Sequence, residues 1–299
     1  RRGGDAVGRE GGLGTRVGGD GDAGIPRPDR RCGGGLQAVI TAAMTVQTGA
    51  ADVVLAGGVE SMSNIEHYTT SARWGSRAGN QMLYDRLDRG RERSQPEWRF
   101  GAISGMIETA ENLATDYRIT REQADAFAAR SHQRAAAAHK DGLFDAETVA
   151  IEVPARRGEP QLFAADEGIR PDTTVETLAR LRTITPGGAV TAGNSSQQND
   201  AAAACLVVAE DRLDELGLQP LGYLRGWAAV GCEPSRMGIG PVGATEKLFA
   251  RTGLSFDDLA LIEINEAFAV QVLAFLEHFG IADDDERVNP WGGAIAVGH

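Results

Sequence analysis

The stretch from residue 36 to residue 58 constrains the fold most, because its hydrophobic pattern changes period within a few residues. The segment LQAVITAAMTVQTGA carries apolar residues at helical spacing and reaches Gly49. The segment ADVVLAGG then has the short apolar run and the closing glycines that favour a buried strand. A helix followed at once by a buried strand predicts a mixed α/β protein.

The middle of the chain contains two predicted helices after a long polar stretch. Residues 64–100 are rich in arginine and show little periodicity, which is typical of a surface excursion. A helix is predicted around Met106–Tyr117. The next helix is introduced by Thr120 with Gln123 three residues later, which is a capping box, and it extends to Gly142.

Further segments complete the predicted secondary structure. Strands are predicted for IEVPAR, for the apolar run after the polar loop VTAGNSSQQND, for LGYLRGWAAV and for LALIEIN, and helices for Ala244–Arg251 and Glu266–Phe279. The segment GIGPVG matches the glycine pattern of dinucleotide sites, but Pro241 interrupts it and no strand precedes it. We therefore interpret it as a loop and not as an NAD site.

The composition excludes several classes of protein. The chain has 299 residues, 42% of them hydrophobic, and a formal net charge of −12. The acidic balance argues against a nucleic-acid partner, and no apolar run is long enough to span a bilayer. The three cysteines form no CxxC pair, which favours a reducing, cytoplasm-like compartment. Because no metal-ligand spacing occurs, we predict neither a metal nor another cofactor.

Residues 1–28 do not have the pattern of a folding sequence. They are rich in glycine, arginine and aspartate and show no hydrophobic period of two or 3.6 residues. Such a segment buries too little apolar surface to offset the entropy of ordering it. It is either a flexible leader or an out-of-frame translation of a GC-rich gene, and we favour the second interpretation because linkers normally contain Ser or Pro.

Cys32 is the first candidate for chemistry. It lies in DRRCGGGLQAV, directly before a helical pattern. The backbone N–H groups and the dipole of a helix N-terminus favour an anion, so we predict a lowered thiol pKa and an available thiolate, with Arg30 and Arg31 adding to the effect. The glycines offer N–H groups for an oxyanion. Taken alone, a cysteine is more often buried and inert, and Cys205 fits that description.

Two further polar residues follow small or apolar segments near the end of the chain. Asn265 and Glu266 lie in EINEAFAVQ, at a predicted strand-to-helix junction. An amide there holds a water or polarises a carbonyl, although Asn is also a favoured helix N-cap. His299 ends the glycine-rich segment GGAIAVGH and is suited to activate a thiol or to stabilise an oxyanion.

Several segments together resemble the thiolase family. They are DRRCGGGLQAV, GGVESMSN, TAGNSSQQNDAAAA, MGIGPVGATEKLF, INEAFAVQ and NPWGGAIAVGH, in the order in which the family carries them. The resemblance covers the chain from about residue 29 to residue 299. It implies a layered αβαβα core of two similar halves with an inserted loop domain.

The resemblance also implies a division of the chain into domains. Residues 29–64 and 199–219 correspond to the N-terminal half, 65–198 to the inserted loop domain and 220–299 to the C-terminal half. Both halves are expected to be incomplete. The family's first strands are missing before the nucleophile, and its second catalytic cysteine belongs to a CxGxG loop beyond the GH motif.

The implied reaction is acyl transfer between coenzyme A thioesters, in either direction. Cys32 is the implied nucleophile that accepts the acyl group. His299 is implied to activate the thiol and, with a water held by Asn265, to bind the thioester oxygen. Because the absent cysteine is the family's base for the α-proton, we expect this chain to be acylated and to fail at carbon–carbon chemistry.

The resemblance implies binding residues and partners as well. Phe268 matches the phenylalanine that lines the acyl pocket, whereas Ser196 and Met106 match contacts to the pantetheine arm. The arginines of residues 73–99 either meet the CoA phosphates or form a solvated surface. The partners implied are acyl-CoA, CoA and further copies of the chain in a homodimer or homotetramer.

Departures from the family pattern leave alternatives open. The family usually has a serine where this chain has Gly34, and often a histidine where it has Gly105. Many members also have a glycine directly after the pantetheine-loop serine, where this chain has Gln197. One alternative is a catalytically incomplete or lipid-binding thiolase-like protein. A β-ketoacyl synthase is the other alternative, but that family carries histidine where this chain has Asn265.

Overall fold

A computed structural model describes most of the chain. It covers residues 30–89, 97–101, 104–155 and 157–299, together with the backbone of Gly14–Gly18. The predicted glycine-rich leader, residues 1–28, therefore lies outside the described residues apart from that one backbone segment. The described chain divides into two compact units, residues 1–94 with 199–227 and residues 95–198 with 228–299.

The elements are numbered in chain order. The strands are β1 (Gly14–Gly18), β2 (Val53–Ser61), β3 (His67–Tyr68), β4 (Tyr84–Asp85), β5 (Ile151–Val153), β6 (Gln161–Phe163) and β7 (Asp200–Val208). The helices are α1 (Gly34–Gln47), α2 (Arg86–Arg89), α3 (Glu97–Phe100), α4 (Met106–Asp116), α5 (Arg121–Lys140), α6 (Val175–Leu178), α7 (Leu213–Leu216), α8 (Gly240–Thr252), α9 (Ala269–Phe279) and α10 (Ala294–Val297).

The first unit is an antiparallel sheet, in the order β1-β2-β7, with α1 packed on it. The predicted helix and strand at residues 36–58 are confirmed as α1 and β2, and the predicted strand after the polar loop is β7. The predicted burial of β2 is wrong, because only Val54 and Ala56 are buried and Leu55 is 52% exposed. Small side chains make the contact between helix and sheet, with Ala38 and Ala42 on α1 against Val54 and Ala56 on β2. The helix presents alanines, so its axis packs close to the strands.

The second unit is built around α9. Residues Ala269–Leu276 of this helix are all buried, and α4 and α5 pack against it. The predicted capping box of α5 is confirmed, because the Gln123 backbone N–H donates to Thr120 Oγ1 (3.2 Å) and the Thr120 N–H donates to Gln123 Oε1 (2.9 Å). Phe256 packs edge-on against Phe249 of α8 at the other side of this core.

Three predictions of secondary structure are wrong. LGYLRGWAAV, residues 221–230, forms no strand, since no other described segment supplies a hydrogen-bonding ladder to it and Leu221 is fully exposed. LALIEIN contributes only a single parallel bridge from Ile262 to Val288, so this extended segment is not part of a sheet. GIGPVG is helical and not a loop, because Pro241 occupies the first turn of α8, where a missing N–H has no cost.

Two helix boundaries also differ from their predictions. Helix α8 begins four residues earlier than predicted, at Gly240, and α9 begins at Ala269 and not at Glu266. No helix among the described residues is both long and apolar enough to cross a membrane.

The position of α9 generates a prediction about stability. Leu273 is 2% exposed at the centre of the second unit, whereas Leu254 is 42% exposed. We expect Leu273→Ala to lower the free energy of unfolding by about 2–5 kcal/mol, because it removes buried methyl groups and leaves a cavity. Urea unfolding of both variants measures the difference. A similar loss in Leu254→Ala would show that the burial of α9 does not determine stability.

Candidate active site

Cys32 lies in a one-turn 3-10 helix, Arg31–Gly33, that leads directly into α1. Arg31 has a φ of 50°, a left-handed conformation that costs a residue with a side chain about 1 kcal/mol or more. The turn thus places the thiol at the N-terminal end of α1, as predicted. The Gly33 N–H donates to Arg30 O and the Gly34 N–H to Arg31 O, so these two predicted oxyanion donors are already engaged.

The pKa of the Cys32 thiol moves in the opposite direction from the prediction. Although Cys32 has exposed surface, protein atoms crowd its sulfur, and this loss of solvation raises the thiol pKa above its ordinary value. A backbone hydrogen bond and the Arg31 charge lower this pKa, while Glu60 adds to the rise. Desolvation is the largest of these effects. The predicted resting thiolate is therefore wrong, and the thiol is neutral at pH 7.

Asn265 and His299 meet in the second unit. The Asn265 amide nitrogen lies 2.7 Å from His299 Nδ1. An amide nitrogen only donates, so Nδ1 is the acceptor here and the neutral imidazole carries its proton on Nε2. Burial lowers the pKa of His299 below its ordinary value, which keeps the ring neutral near pH 7. Asn265 is not the N-cap of α9, because Phe268 occupies that position.

The local backbone explains how the two side chains come to face each other. Residues 261–266 alternate between exposed and buried, so the extended segment directs Asn265 outward and Glu266 inward. On the other side, α10 ends at Gly298, whose φ of 103° lies in a region that residues with a Cβ rarely adopt. This turn ends the helix and sets the direction in which His299 leaves it.

Glu266 connects the segment that carries Asn265 with the segment that leads to His299. It is 1% exposed, and its carboxylate accepts hydrogen bonds from Ser131 Oγ (2.6 Å), Asn289 Nδ2 (2.8 Å) and the Ile295 N–H (3.1 Å). Burial raises the pKa of Glu266, while these hydrogen bonds and Arg130 lower it. All three partners donate, so both carboxylate oxygens must act as acceptors.

Two glycines let the segment before α10 approach this carboxylate. A Cβ on Gly293 would lie 2.4 Å from the carboxyl carbon of Glu266. A Cβ on Gly292, which has a φ of 81°, would lie 2.5 Å from the Ser131 carbonyl oxygen. Gly292 and Gly293 are thus required by close packing against Ser131 and Glu266.

The loop that carries Ser196 runs beside the NEAF segment. The Ser196 N–H donates to Ala267 O (3.0 Å), and Ser195 forms an antiparallel bridge with Phe268. Phe268 is half-buried and packs against the core around α9. The predicted binding residues Ser196 and Phe268 therefore lie on neighbouring backbone segments that are hydrogen-bonded to each other.

Two buried or partly buried carboxylates hold this loop in place. Asn194 donates from Nδ2 to Asp125 Oδ1 (2.9 Å), and Asp125 also accepts from Arg121 (2.7 Å). Glu111 accepts from the backbone N–H groups of Ala189 (2.9 Å) and Val190 (3.0 Å). The loop is thereby fixed to both α4 and α5.

Cys32 and Met106 are the other two predicted site residues. Met106 is half-buried at the first position of α4 in the second unit, and Cys32 belongs to the first unit. Among the described residues no cluster of three or more His, Cys, Asp or Glu side chains has the arrangement of a metal site.

Sequence comparison decides the family. The model of the thiolase N-terminal domain matches residues 22–211, and that of the thiolase C-terminal domain matches residues 218–299. The chain belongs to the thiolase family.

Individual thiolases support this assignment. An acetyl-CoA acetyltransferase of Chromobacterium violaceum is 46% identical over 270 residues, which are 90% of this chain and 67% of that protein. The crystal structure of the Bacillus anthracis acetyl-CoA acetyltransferase is similar, with a TM-score of 0.82 and 39% identity over 90% of this chain and 66% of that one. The chain thus spans about two-thirds of the length of these relatives.

A second solved thiolase was determined with a ligand. Human mitochondrial 3-ketoacyl-CoA thiolase in complex with CoA has a TM-score of 0.80 and 37% identity, covering 90% of this chain and 65% of that chain. These similarities show the thiolase α/β fold for the chain.

Three residues that support the candidate site were not predicted from the sequence. Ser131 lies within a helix and Asn289 precedes a proline, and neither carries a local signal that it pairs with Glu266. Gln197 was noted only as a departure from the family pattern, although its side chain makes three hydrogen bonds. The direction of Glu266 was not predicted either, although the apolar residues at 262 and 264 could have indicated that position 266 shares their face.

The lowered pKa of His299 generates a prediction about pH and stability. The unfolded chain, with an ordinary histidine pKa of about 6.5, binds a proton more readily than the folded chain, so stability is lost as pH falls from 7 through the folded pKa. We expect His299→Gln to reduce the loss of unfolding free energy between pH 7 and pH 5, measured by urea unfolding. His67→Gln, at an exposed histidine, is the control. An unchanged pH dependence in His299→Gln would contradict the burial of this imidazole.

Proposed function

We propose that the chain is an acyl-CoA C-acyltransferase that passes the acyl group through Cys32. The Asn265–His299 pair, 2.7 Å apart, is the observation that carries the proposal. It combines a neutral imidazole with an amide that pairs with either tautomer of the ring, and such a pair can move one proton and stabilise one oxyanion.

The proposed first step balances as an acyl exchange between two sulfurs. The Cys32 thiol loses its proton to His299 and attacks the thioester carbonyl, the bond from that carbonyl to the CoA sulfur breaks, and CoA leaves with the proton. A raised thiol pKa makes a base necessary, because little thiolate exists at pH 7. The lowered pKa of His299 keeps that base unprotonated.

The amide of Asn265 supports both parts of the proposed role of His299. With the amide nitrogen toward Nδ1, the ring carries its proton on Nε2 and donates to an oxyanion. With the amide rotated by 180°, its oxygen accepts from Nδ1–H, and the bare Nε2 accepts a proton. Because rotation of the amide moves no proton on the ring, the change from the donor form to the acceptor form also requires a proton to leave Nε2 and a proton to bind Nδ1.

The proposal extends to binding and assembly. Phe268 lines the acyl pocket, and Ser196 and Met106 contact the pantetheine arm of acyl-CoA or CoA, which are substrates and not cofactors. Residues 65–198 form the inserted loop domain between the two thiolase halves. The protein works in the cytoplasm, in fatty acid metabolism, as a homodimer or homotetramer without nucleic-acid or membrane partners.

The test is covalent labelling of Cys32. We expect radiolabelled acetyl-CoA to leave a hydroxylamine-labile acetyl group on the Cys32 peptide, and the rate of labelling to rise with pH as the thiol ionises. Cys32→Ala removes the label, and His299→Ala slows labelling by about 10²-fold or more because the proton acceptor is lost.

Cys205→Ala and Cys232→Ala are the matched controls for labelling, since both remove a thiol and leave Cys32 in place. Their labelling is expected to equal that of the parent chain. A label that persists in Cys32→Ala, or the absence of any thioester in the parent chain, would refute the proposed acyl-cysteine.

A further inference from the structure

Gln197 makes a set of contacts that the proposed reaction does not use. Its amide nitrogen lies within hydrogen-bonding distance of the carbonyl oxygens of Gly168 (3.0 Å), Ile295 (3.1 Å) and Ala296 (3.1 Å), so its two N–H groups serve three acceptors and one of them is shared. The orientation of the amide is fixed by chemistry, since the opposite orientation would place an amide oxygen against three carbonyl oxygens. One side chain thereby joins three separate backbone segments of the second unit.

The two carbonyl groups in α10 need such a partner. The last carbonyls of a helix have no intrahelical N–H to accept from, and α10 is a single turn that ends at Val297, with Gly298 as its C-cap. Gln197 therefore acts as a side-chain cap on α10, at carbonyls four and three residues before His299. The capped carbonyls set the direction of the backbone that carries the imidazole.

The third contact places a constraint on the neighbouring loop. A Cβ on Gly168 would lie 2.6 Å from Gln197 Nε2 and 2.7 Å from the Ala296 carbonyl oxygen. Only a glycine at this position lets the loop approach both the amide and the end of α10. The junction is thus packed closely around Gln197 and is not a chance surface contact.

Gln197 also connects the serine loop with α10. It directly follows Ser196, whose N–H is bonded to Ala267 O beside the NEAF segment. The loop is fixed at one end to Asp125 through Asn194 and at the other end to the carbonyls of α10 through Gln197. A displacement of this loop is therefore transmitted to the segment before His299.

We propose that Gln197 is a positioning residue for His299: its amide caps α10 and holds the imidazole in register with Asn265. The proposal rests on the proposed role of His299 and deepens it. It gives a structural role to a glutamine at a position where many thiolases carry glycine. It also implies that the position of the His299 ring depends on the loop that carries Ser196.

The test compares Gln197→Met with Gln198→Met. Methionine has nearly the length of glutamine but no amide donor, and Gln198 is an exposed neighbour whose side chain has no hydrogen bond to another described residue. The readout is the ¹⁵N NMR signature of the His299 imidazole over a pH titration, which reports tautomer and pKa and requires no catalysis. Histidine signals are assigned with His299→Gln.

In Gln197→Met we expect the His299 pKa to move up toward its ordinary value and the two neutral tautomers to mix, because the ring leaves its contact with Asn265 and becomes better solvated. Labelling of Cys32 by acetyl-CoA is expected to slow by about tenfold, the effect of a misplaced catalytic group. Gln198→Met is expected to match the parent chain in both measurements.

Two results would overturn the proposal. One is a His299 titration in Gln197→Met that equals that of the parent chain, and the other is an equal change in Gln198→Met. Gln197→Asn, which keeps the amide but withdraws it by one methylene, is expected to behave like Gln197→Met and replaces it if the methionine variant does not fold. A chain that accepts no acyl group but shows the NMR change would refute the proposed acylation and leave the positioning role standing.

Discussion

The second unit depends on a buried carboxylate that is surrounded by donors. Glu266 accepts from a serine of α5, from the side chain of Asn289 and from the backbone of α10, and no water-exposed surface of consequence remains on it. Burying a carboxylate is costly unless hydrogen bonds replace its hydration, so these partners must be in place for the unit to fold as it does. The arrangement at Asn265 and His299 is a consequence of that requirement.

The candidate site is best understood as a set of backbone segments held by side chains. The Asn289 side chain accepts from the N–H of Ile264 and donates to its C=O, so it makes the hydrogen bonds that a neighbouring strand would make beside the NEAF segment. Asp125 and Glu111 hold the serine loop, while Gln197 caps α10. Each of these side chains joins segments that are distant in sequence. The short segments that carry Ser196, Asn265 and His299 are therefore held in fixed positions although they are not long helices or strands.

The sequence was sufficient for features that depend on neighbouring residues. The capping box of Thr120 and Gln123, the period of α1 and the apolar run of β2 act within a few positions, and all three were predicted correctly. Residues 221–230 have the composition of a strand, but a strand also needs a partner, which composition does not supply.

The same limit applies to the site. The motifs around Cys32, Asn265 and His299 placed the candidate residues. The raised pKa of Cys32 reflects burial of the thiol and the charge of Glu60, which the motif around Cys32 does not contain. Ser131 and Asn289 lie 135 and 23 residues from Glu266, so their hydrogen bonds to it could not be read from spacing.

The most direct test of the account is a double-mutant cycle on the rate of Cys32 acylation, with Glu266→Gln, His299→Ala and their combination. Glutamine at position 266 turns one acceptor into a donor that faces other donors. If Glu266 acts by positioning His299, Glu266→Gln slows the parent chain by about tenfold and slows the His299→Ala chain very little. An equal slowing in both backgrounds would show that the buried carboxylate does not act through the histidine, and would contradict the account.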